Sequence, residues 1–281
     1  MSEGKKEARF LELYRRMRLI RRFGDEIQSP GGQEVVPVAV CEALGAGDRV
    51  AATSRGHGHA LALGVDPTAL LAELLGRATG VCGGRAGSRV IDLEHRLIGC
   101  FGSVGGSIAA ATGMALALQR AGGVAVAFFG EEAVNHGNFH ECLNLAKVRE
   151  LPVIYVCESN RYGELAAGEQ LTAGEITARP QALGIPSITI DAGDLWTVRK
   201  TAVEAVERVR AGMGPHFIEA LRAEPRDPLA VVRAGLAERY GTSAELVDRV
   251  DEEVDEQIAA VVAAATAAPP LDPDAPVREF A

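Results

Sequence analysis

Apolar residues recur along much of this chain at helical spacing. Between residues 6 and 28, apolar side chains from Phe10 to Ile20 return every three or four positions, which predicts an amphipathic helix that ends before Gly31. The same periodicity, with breaks at glycine and proline, predicts further helices at residues 35–44, 67–75, 107–120, 138–149, 195–211 and 243–265. Residues 78–106 are rich in glycine and are interpreted as a loop that approaches a ligand closely.

Short runs that are apolar almost throughout predict buried strands at residues 124–129, 151–159, 187–192 and 216–221. Because these strands alternate with predicted helices, the sequence predicts an α/β fold: a doubly wound, mostly parallel sheet with helices on both faces. We expect a single domain over residues 1–265. A Pro-rich tail over residues 266–281 is expected either to lie on a neighbour or to be disordered.

Composition narrows the possible functions. With 281 residues, 47% of them hydrophobic, the chain can bury a substantial core. A net charge of −9 argues against nucleic-acid binding, because no basic stripe could displace counterions from phosphates. Five scattered cysteines without a CxxC pair predict no disulfide scaffold and favour a reducing cytoplasm. No apolar run is long enough for a membrane span, and the first ten residues do not resemble a signal peptide.

Polar side chains follow two of the predicted strands at their carboxyl ends, where open α/β sheets bind ligands. Glu131 and Glu132 follow the first strand, and Asn160 follows the second, 29 residues after Glu131. One crossover helix lies between them, so adjacent parallel strands would bring both side chains to one edge of the sheet.

A carboxylate, an amide oxygen and a nearby backbone carbonyl are hard oxygen ligands that suit Mg²⁺ and the phosphate groups it carries. A helix beginning directly after Glu132 would also attract phosphate through its free N–H groups. The residues therefore predict a magnesium–diphosphate site. An alternative stays open, because acids also occupy the first helical turn merely to complement the helix dipole.

Other candidate ligands have simpler interpretations. His136 and His140 lie one helical turn apart, but no third ligand is evident, so we interpret them as surface positions. Cys142 and Cys157 are interpreted as buried apolar residues. The acidic face of the helix predicted at 243–265 is interpreted as solvated.

Two segments, GEEAVNHGNF and CESNRYG, resemble the thiamine diphosphate motif G-D-G-A-x-N-x-G … E-N-N-x-Y-G. From about residue 10 to residue 230, the chain resembles the alpha subunit of the first, decarboxylating component of 2-oxo acid dehydrogenase complexes. The resemblance also rests on the segments LYRRMRLIRRF, GGQEVVPVAV, SRGHGHALALG, LLAELLGRATGVCGGRAGS, GSVGGSIAAATGMALA, GIPSITIDAGD and GPHFIEALR.

The resemblance implies roles for individual positions. Glu131, Asn160 and the backbone carbonyl of Tyr162 would bind Mg²⁺, and Arg55 would contact the diphosphate. His57 would lie near the reacting thiazolium carbon as a hydrogen-bond donor or proton carrier, whereas the role of the second histidine of RGHGHA is left open. The implied cofactor-binding residues are Arg55, Gly102, Ser103, Val104, Gly130, Glu131, Glu132, Ala133, Asn160 and Tyr162.

In function, the resemblance implies decarboxylation of a pyruvate-like 2-oxo acid and transfer of the acyl unit to a lipoyl domain or acyl-carrier protein. A beta subunit would supply the Glu that activates the aminopyrimidine ring, commonly in an α2β2 assembly. Two alternatives are kept. One is a transketolase-like transfer of a two-carbon unit to a carrier protein in specialised biosynthesis, and the other is a non-catalytic scaffold subunit that has lost the cofactor.

Several positions depart from the family pattern. Glu131 replaces Asp, and Glu132 replaces a Gly that lets the backbone approach the diphosphate, so we expect Glu131 to bind the metal and Glu132 to turn outward. The family's HGHSxSDP segment is shortened to LRAEPRDPLA, which keeps Asp227-Pro228 but has no histidine. Arg89-Val90 replace a Met-His pair, and the loop before GQE is about ten residues shorter. We therefore expect an altered substrate, an altered acyl acceptor or lower activity.

Overall fold

Six parallel strands form the centre of the molecule. The computed structural model describes residues 3–29, 31–160, 172–222 and 226–274. The strands are β1 (Arg49–Thr53), β2 (Leu97–Phe101), β3 (Ala125–Gly130), β4 (Val153–Ser159), β5 (Ser187–Asp191) and β6 (His216–Leu221). They are arranged in the order β2-β1-β3-β4-β6-β5, and every described pair is parallel. This sheet confirms the predicted fold class.

Helices cover both faces of the sheet. The described α-helices are α1 (Glu3–Glu26), α2 (Val35–Glu42), α3 (His57–Leu63), α4 (Pro67–Leu74), α5 (Gly106–Leu118), α6 (Gly137–Arg149), α7 (Ala178–Ala182), α8 (Leu195–Arg210), α9 (Pro228–Tyr240) and α10 (Ala244–Ala267). A one-turn 3₁₀ helix, Glu131–Asn135, lies between β3 and α6. None of the described helices is long and apolar enough to cross a membrane.

Two hydrophobic clusters hold these layers together. Along β3, Val126 and Phe128 face one cluster, whereas Ala127 and Phe129 face the other. Both faces of the strand are therefore buried, which explains why its sequence is apolar without alternation. The same pattern in β4 confirms the prediction of a parallel sheet packed on both sides.

The sequence did not predict several elements. Strand β1 was missed because RVAAT is short and rich in alanine, and β2 lies in the segment interpreted entirely as loop. The two strands pair with each other, so part of residues 78–106 belongs to the sheet. Helix α9 was missed because it begins at Pro228. A proline at the first helical position is compatible with a helix, and Asp227 caps it by accepting a hydrogen bond from the N–H of Leu229.

Two features of the C-terminal region differ from expectation. The acidic face of α10 is not only solvated: Asp251 accepts a hydrogen bond of 3.0 Å from the Tyr14 hydroxyl, and Asp255 pairs with Arg22 of α1 at 2.7 Å. After α10, the chain pairs with the glycine-rich segment, where the N–H of Ala78 donates to Pro269. The tail therefore begins on its own chain, and residues 275–281 lie outside the described part.

Candidate functional site

The carboxyl ends of β3 and β4 lie side by side. Gly130 of β3 pairs in register with Glu158 of β4. Glu131, which directly follows β3, and Asn160, which directly follows β4, both border a cavity of about 360 Å³ at this edge of the sheet. The crossover connection thus brings together a carboxylate and an amide that are distant in sequence, as the strand order requires.

This cavity collects most of the residues predicted to bind a cofactor. The predicted residues that border it are Arg55, Gly102, Ser103, Val104, Gly130, Glu131, Glu132, Ala133 and Asn160. Tyr162 lies outside the described residues. His57 does not border this cavity but borders an adjoining one.

The glycine-rich loop between β2 and α5 forms one wall. Gly105 has a φ of +76°, and a Cβ there would lie only 2.7 Å from the side-chain oxygen of Asn138. The Asn138 amide donates a hydrogen bond of 2.9 Å to the Gly105 carbonyl. Only glycine permits this approach, so Gly105 fixes the loop against α6 and holds residues 102–104 at the cavity.

Glu131 is almost fully buried, with 6% of its surface exposed. The Ser159 hydroxyl donates a hydrogen bond of 2.5 Å to Oε2 of Glu131, and Ser159 is itself buried. A hydrogen bond to a carboxylate is stronger than one between neutral groups, so Ser159 holds the Glu131 side chain in place. The sequence analysis did not identify Ser159 as a site residue. Ser159 occupies a position where the family motif has Asn, and this difference could have indicated it.

Glu132 borders the same cavity, so the expectation that it turns outward is wrong. Its carboxylate lies against the α-carbon of Gly130, in space that a Cβ at that position would take. Helix α6 begins at Gly137, which agrees with the helix predicted at residues 138–149, but the residues around Glu132 form a 3₁₀ turn and not the start of an α-helix. With Glu131 and Glu158, Glu132 makes this wall of the cavity acidic, and Arg55 is a cation that borders the same space.

A second cavity of about 180 Å³ adjoins the first. The two share Gln33, Arg55, His59, Glu158 and Asn160. A ligand in the smaller cavity would therefore lie next to one in the larger cavity.

His57 borders the smaller cavity and stacks on Phe23, with ring centroids 6.1 Å apart. Burial is the main cause that lowers the pKa of His57 to about 4, and the neighbouring His59 lowers it further. At neutral pH the His57 imidazole is therefore uncharged, and it can donate a single hydrogen bond.

His59 separates the two cavities. Its ring packs on Phe128, with centroids 4.2 Å apart, and its Nε2 lies 3.3 Å from Oε2 of Glu158. Within the described part of the chain, neither ring nitrogen of His59 makes a hydrogen bond. The sequence left its role open, and the structure places it at the boundary between the two spaces.

The described residues contain no cluster of three or more His, Cys, Asp or Glu side chains that could hold a metal ion. A cation at Glu131 and Asn160 would thus take its other ligands from backbone oxygens, phosphate or water, as Mg²⁺ commonly does. His136 and His140 are exposed, in keeping with their interpretation as surface positions.

Comparisons with known proteins show which family this chain is similar to. A family model described as "Dehydrogenase E1 component" matches residues 21–225. The alpha subunit of acetoin:2,6-dichlorophenolindophenol oxidoreductase from Bacillus subtilis (strain 168) is 39% identical, covering 88% of this chain and 78% of that protein. The pyruvate dehydrogenase E1 component subunit alpha from Rhizobium meliloti (strain 1021) is 33% identical, covering 87% of this chain and 82% of that protein.

Proposed function

Because this chain belongs to the dehydrogenase E1 component family, we propose that it is the alpha subunit of a thiamine diphosphate- and Mg²⁺-dependent enzyme that decarboxylates a pyruvate-like 2-oxo acid. The observation that best supports this function is the meeting of Glu131 and Asn160 at one cavity, bordered also by Arg55 and the loop at residues 102–105.

The residues at the larger cavity fit the cofactor. Glu131 and Asn160 offer hard oxygen atoms to Mg²⁺, and Ser159 orients the carboxylate. Arg55 offers a guanidinium to the diphosphate. The carboxylate of Glu132 repels phosphate, so the diphosphate should bind only when Mg²⁺ balances the negative charge.

When bound, thiamine diphosphate supplies the carbanion chemistry of its thiazolium carbon. The protein's own contribution is to hold the diphosphate and to place an uncharged His57 beside the smaller cavity. There His57 can donate a hydrogen bond to an oxygen atom of the 2-oxo acid. We further propose that a beta subunit supplies the Glu that activates the aminopyrimidine ring, in an α2β2 assembly. The acyl unit would then pass to a lipoyl domain or a similar thiol carrier.

Calorimetry on the alpha–beta complex tests this proposal. Thiamine diphosphate should bind with measurable heat when Mg²⁺ is present and without heat in its absence, and Glu131→Ala should abolish the binding. Glu132→Gln should tighten it. Removing one negative charge from this wall of the cavity should raise the affinity about 10-fold, which corresponds to about 1.4 kcal/mol.

Glu141→Gln provides the matched control, because Glu141 is an exposed glutamate on α6. Its removal should leave the affinity unchanged. Absence of heat at millimolar cofactor would favour the scaffold alternative. A large loss of affinity in Glu132→Gln would mean that the roles of Glu131 and Glu132 are reversed.

A further inference from the structure

Arg222 lies at the edge of the sheet where the proposed cofactor site is located. Strand β6 ends at Leu221, and the N–H of Arg222 donates a hydrogen bond of 2.8 Å to the carbonyl of Ser159. This bond extends the pairing of β6 with β4 and brings Arg222 beside Asn160. The Arg222 side chain borders the 180 Å³ cavity together with His57.

A pair of glycines makes room for two arginine side chains here. A Cβ on Gly32 would lie 2.6 Å from both Nη atoms of Arg222, and a Cβ on Gly31 would lie 2.5 Å from Nε of Arg21. Gly32 also has a φ of +99°, which favours glycine. The Arg222 guanidinium therefore rests on the Gly32 backbone at the wall of the cavity.

The two arginines differ in how their charge is balanced. Arg21 donates to Glu34 at 2.6 Å and to Asp227 at 2.9 Å, so its charge is already paired. No hydrogen bond or ion pair within the described residues ties the Arg222 guanidinium to a carboxylate. A guanidinium that is not tied to a carboxylate of the protein can bind the carboxylate of a ligand through two parallel N–H···O bonds.

The charged residues around the smaller cavity also favour binding of an anion. Among the residues that the structure describes, three arginines border it, Arg21, Arg55 and Arg222, and two acids do, Glu34 and Glu158. Arg222 also borders a cavity of about 410 Å³ on its other side. In the described part of the chain, that cavity has equal numbers of arginines and acids: Arg222, Arg226, Arg239, Asp191, Asp194 and Glu238. An anion next to Arg222 is therefore favoured on the side of the smaller cavity.

We propose that Arg222 binds the carboxylate of the donor and so makes this enzyme select a small anionic 2-oxo acid over an uncharged donor such as acetoin. This inference rests on the proposed function, because the donor must lie beside the cofactor. The two cavities adjoin, and about 180 Å³ suits a molecule of pyruvate size. Arg222 thus offers a cation within LRAEPRDPLA, the segment that has no counterpart of the family's histidine.

Steady-state kinetics of the alpha–beta complex, with dichlorophenolindophenol as electron acceptor, provide the test. The readout is the ratio of kcat/KM for pyruvate to kcat/KM for acetoin. Arg222→Gln should lower this ratio by about 10- to 100-fold, the usual effect of losing a charged hydrogen-bonded pair. Arg222→Lys should retain part of the selectivity, because it keeps the charge but loses the two-bond geometry. This second variant keeps the inference testable if Arg222→Gln does not fold.

Arg226→Gln is the matched control, because Arg226 borders the 410 Å³ cavity but not the smaller one. It should leave the ratio unchanged. Equal losses for both donors in Arg222→Gln, or the same shift in Arg226→Gln, would overturn the inference.

Calorimetry distinguishes failure of the proposed function from failure of this inference. If the wild-type complex does not bind thiamine diphosphate, the proposed function fails and this inference with it. If it binds normally and Arg222→Gln treats both donors alike, only the inference fails.

Discussion

Burial of His57 should make the stability of this chain depend on pH. The imidazole borders the 180 Å³ cavity and a further cavity of about 250 Å³, and it stacks on Phe23. Desolvation lowers the pKa of His57 from 6.5 to about 4, with His59 adding to the shift and Glu34 opposing it. The folded protein therefore resists protonation of a group that the unfolded chain protonates readily.

The sign and size of the effect follow from these two values. Above pH 6.5 the imidazole is neutral in both states, and the free energy of unfolding is unaffected. Between pH 6.5 and about 4 the proton binds only the unfolded state, so stability falls as the pH falls. Each pH unit is worth about 1.4 kcal/mol, which amounts to about 3 kcal/mol once the lower pKa is reached.

Urea unfolding of the wild type and of His57→Gln, at intervals from about pH 7 to about pH 4.5, measures the contribution of His57 to the free energy of unfolding. The wild type should lose about 2–3 kcal/mol more than the variant over that range. Other groups titrate in both proteins and cancel in the difference. His140→Gln, which removes an exposed imidazole, is the control and should follow the wild type.

Parallel pH profiles for the wild type and His57→Gln would refute the reasoning. They would show that His57 is as accessible to protons in the folded chain as in the unfolded one.

Two other predictions follow from single buried carboxylates. Ser159→Ala removes the hydroxyl that donates to Glu131 and should cost about 1.5–3 kcal/mol of stability while weakening Mg²⁺-dependent binding of thiamine diphosphate. Thr112→Val, which removes an equally buried hydroxyl bonded only to neutral groups and away from this cavity, should lower stability by about 1–2 kcal/mol without changing the Mg²⁺ dependence; equal effects in calorimetry would contradict the role of Ser159. Glu73 accepts hydrogen bonds from three backbone N–H groups of the glycine-rich segment, so Glu73→Gln should cost about 2–3 kcal/mol, because the new amide donor faces donors. Hydrogen exchange at residues 82–86 should accelerate in that variant, and unchanged exchange would show that the segment is held by other contacts.

Local patterns were sufficient for most of the sheet and its helices. Strand β3 is apolar throughout because it is buried on both faces, and α1 repeats its apolar residues every three or four positions because one side packs on the core. Strand β1 escaped prediction because its short side chains carry little pattern. It is a strand because β2 and β3 flank it, and that is a property of the assembled sheet.

The site divides in the same way. The positions of Glu131 and Asn160 could be predicted because both directly follow strands, and parallel strands end at a common edge. The orientation of Glu132 could not, since it depends on the space left by Gly130.

Taken alone, the sequence determined the fold class, the family resemblance and the edge of the sheet where chemistry was expected, because these follow from the spacing of residues within or next to single elements. Tertiary structure decided that Ser159 orients Glu131, that His59 separates two cavities, and that Arg222 rests on Gly32. These contacts join residues whose distance in space is set only when the strands pair and the helices pack. The periodicity of residues along the chain therefore does not predict these contacts.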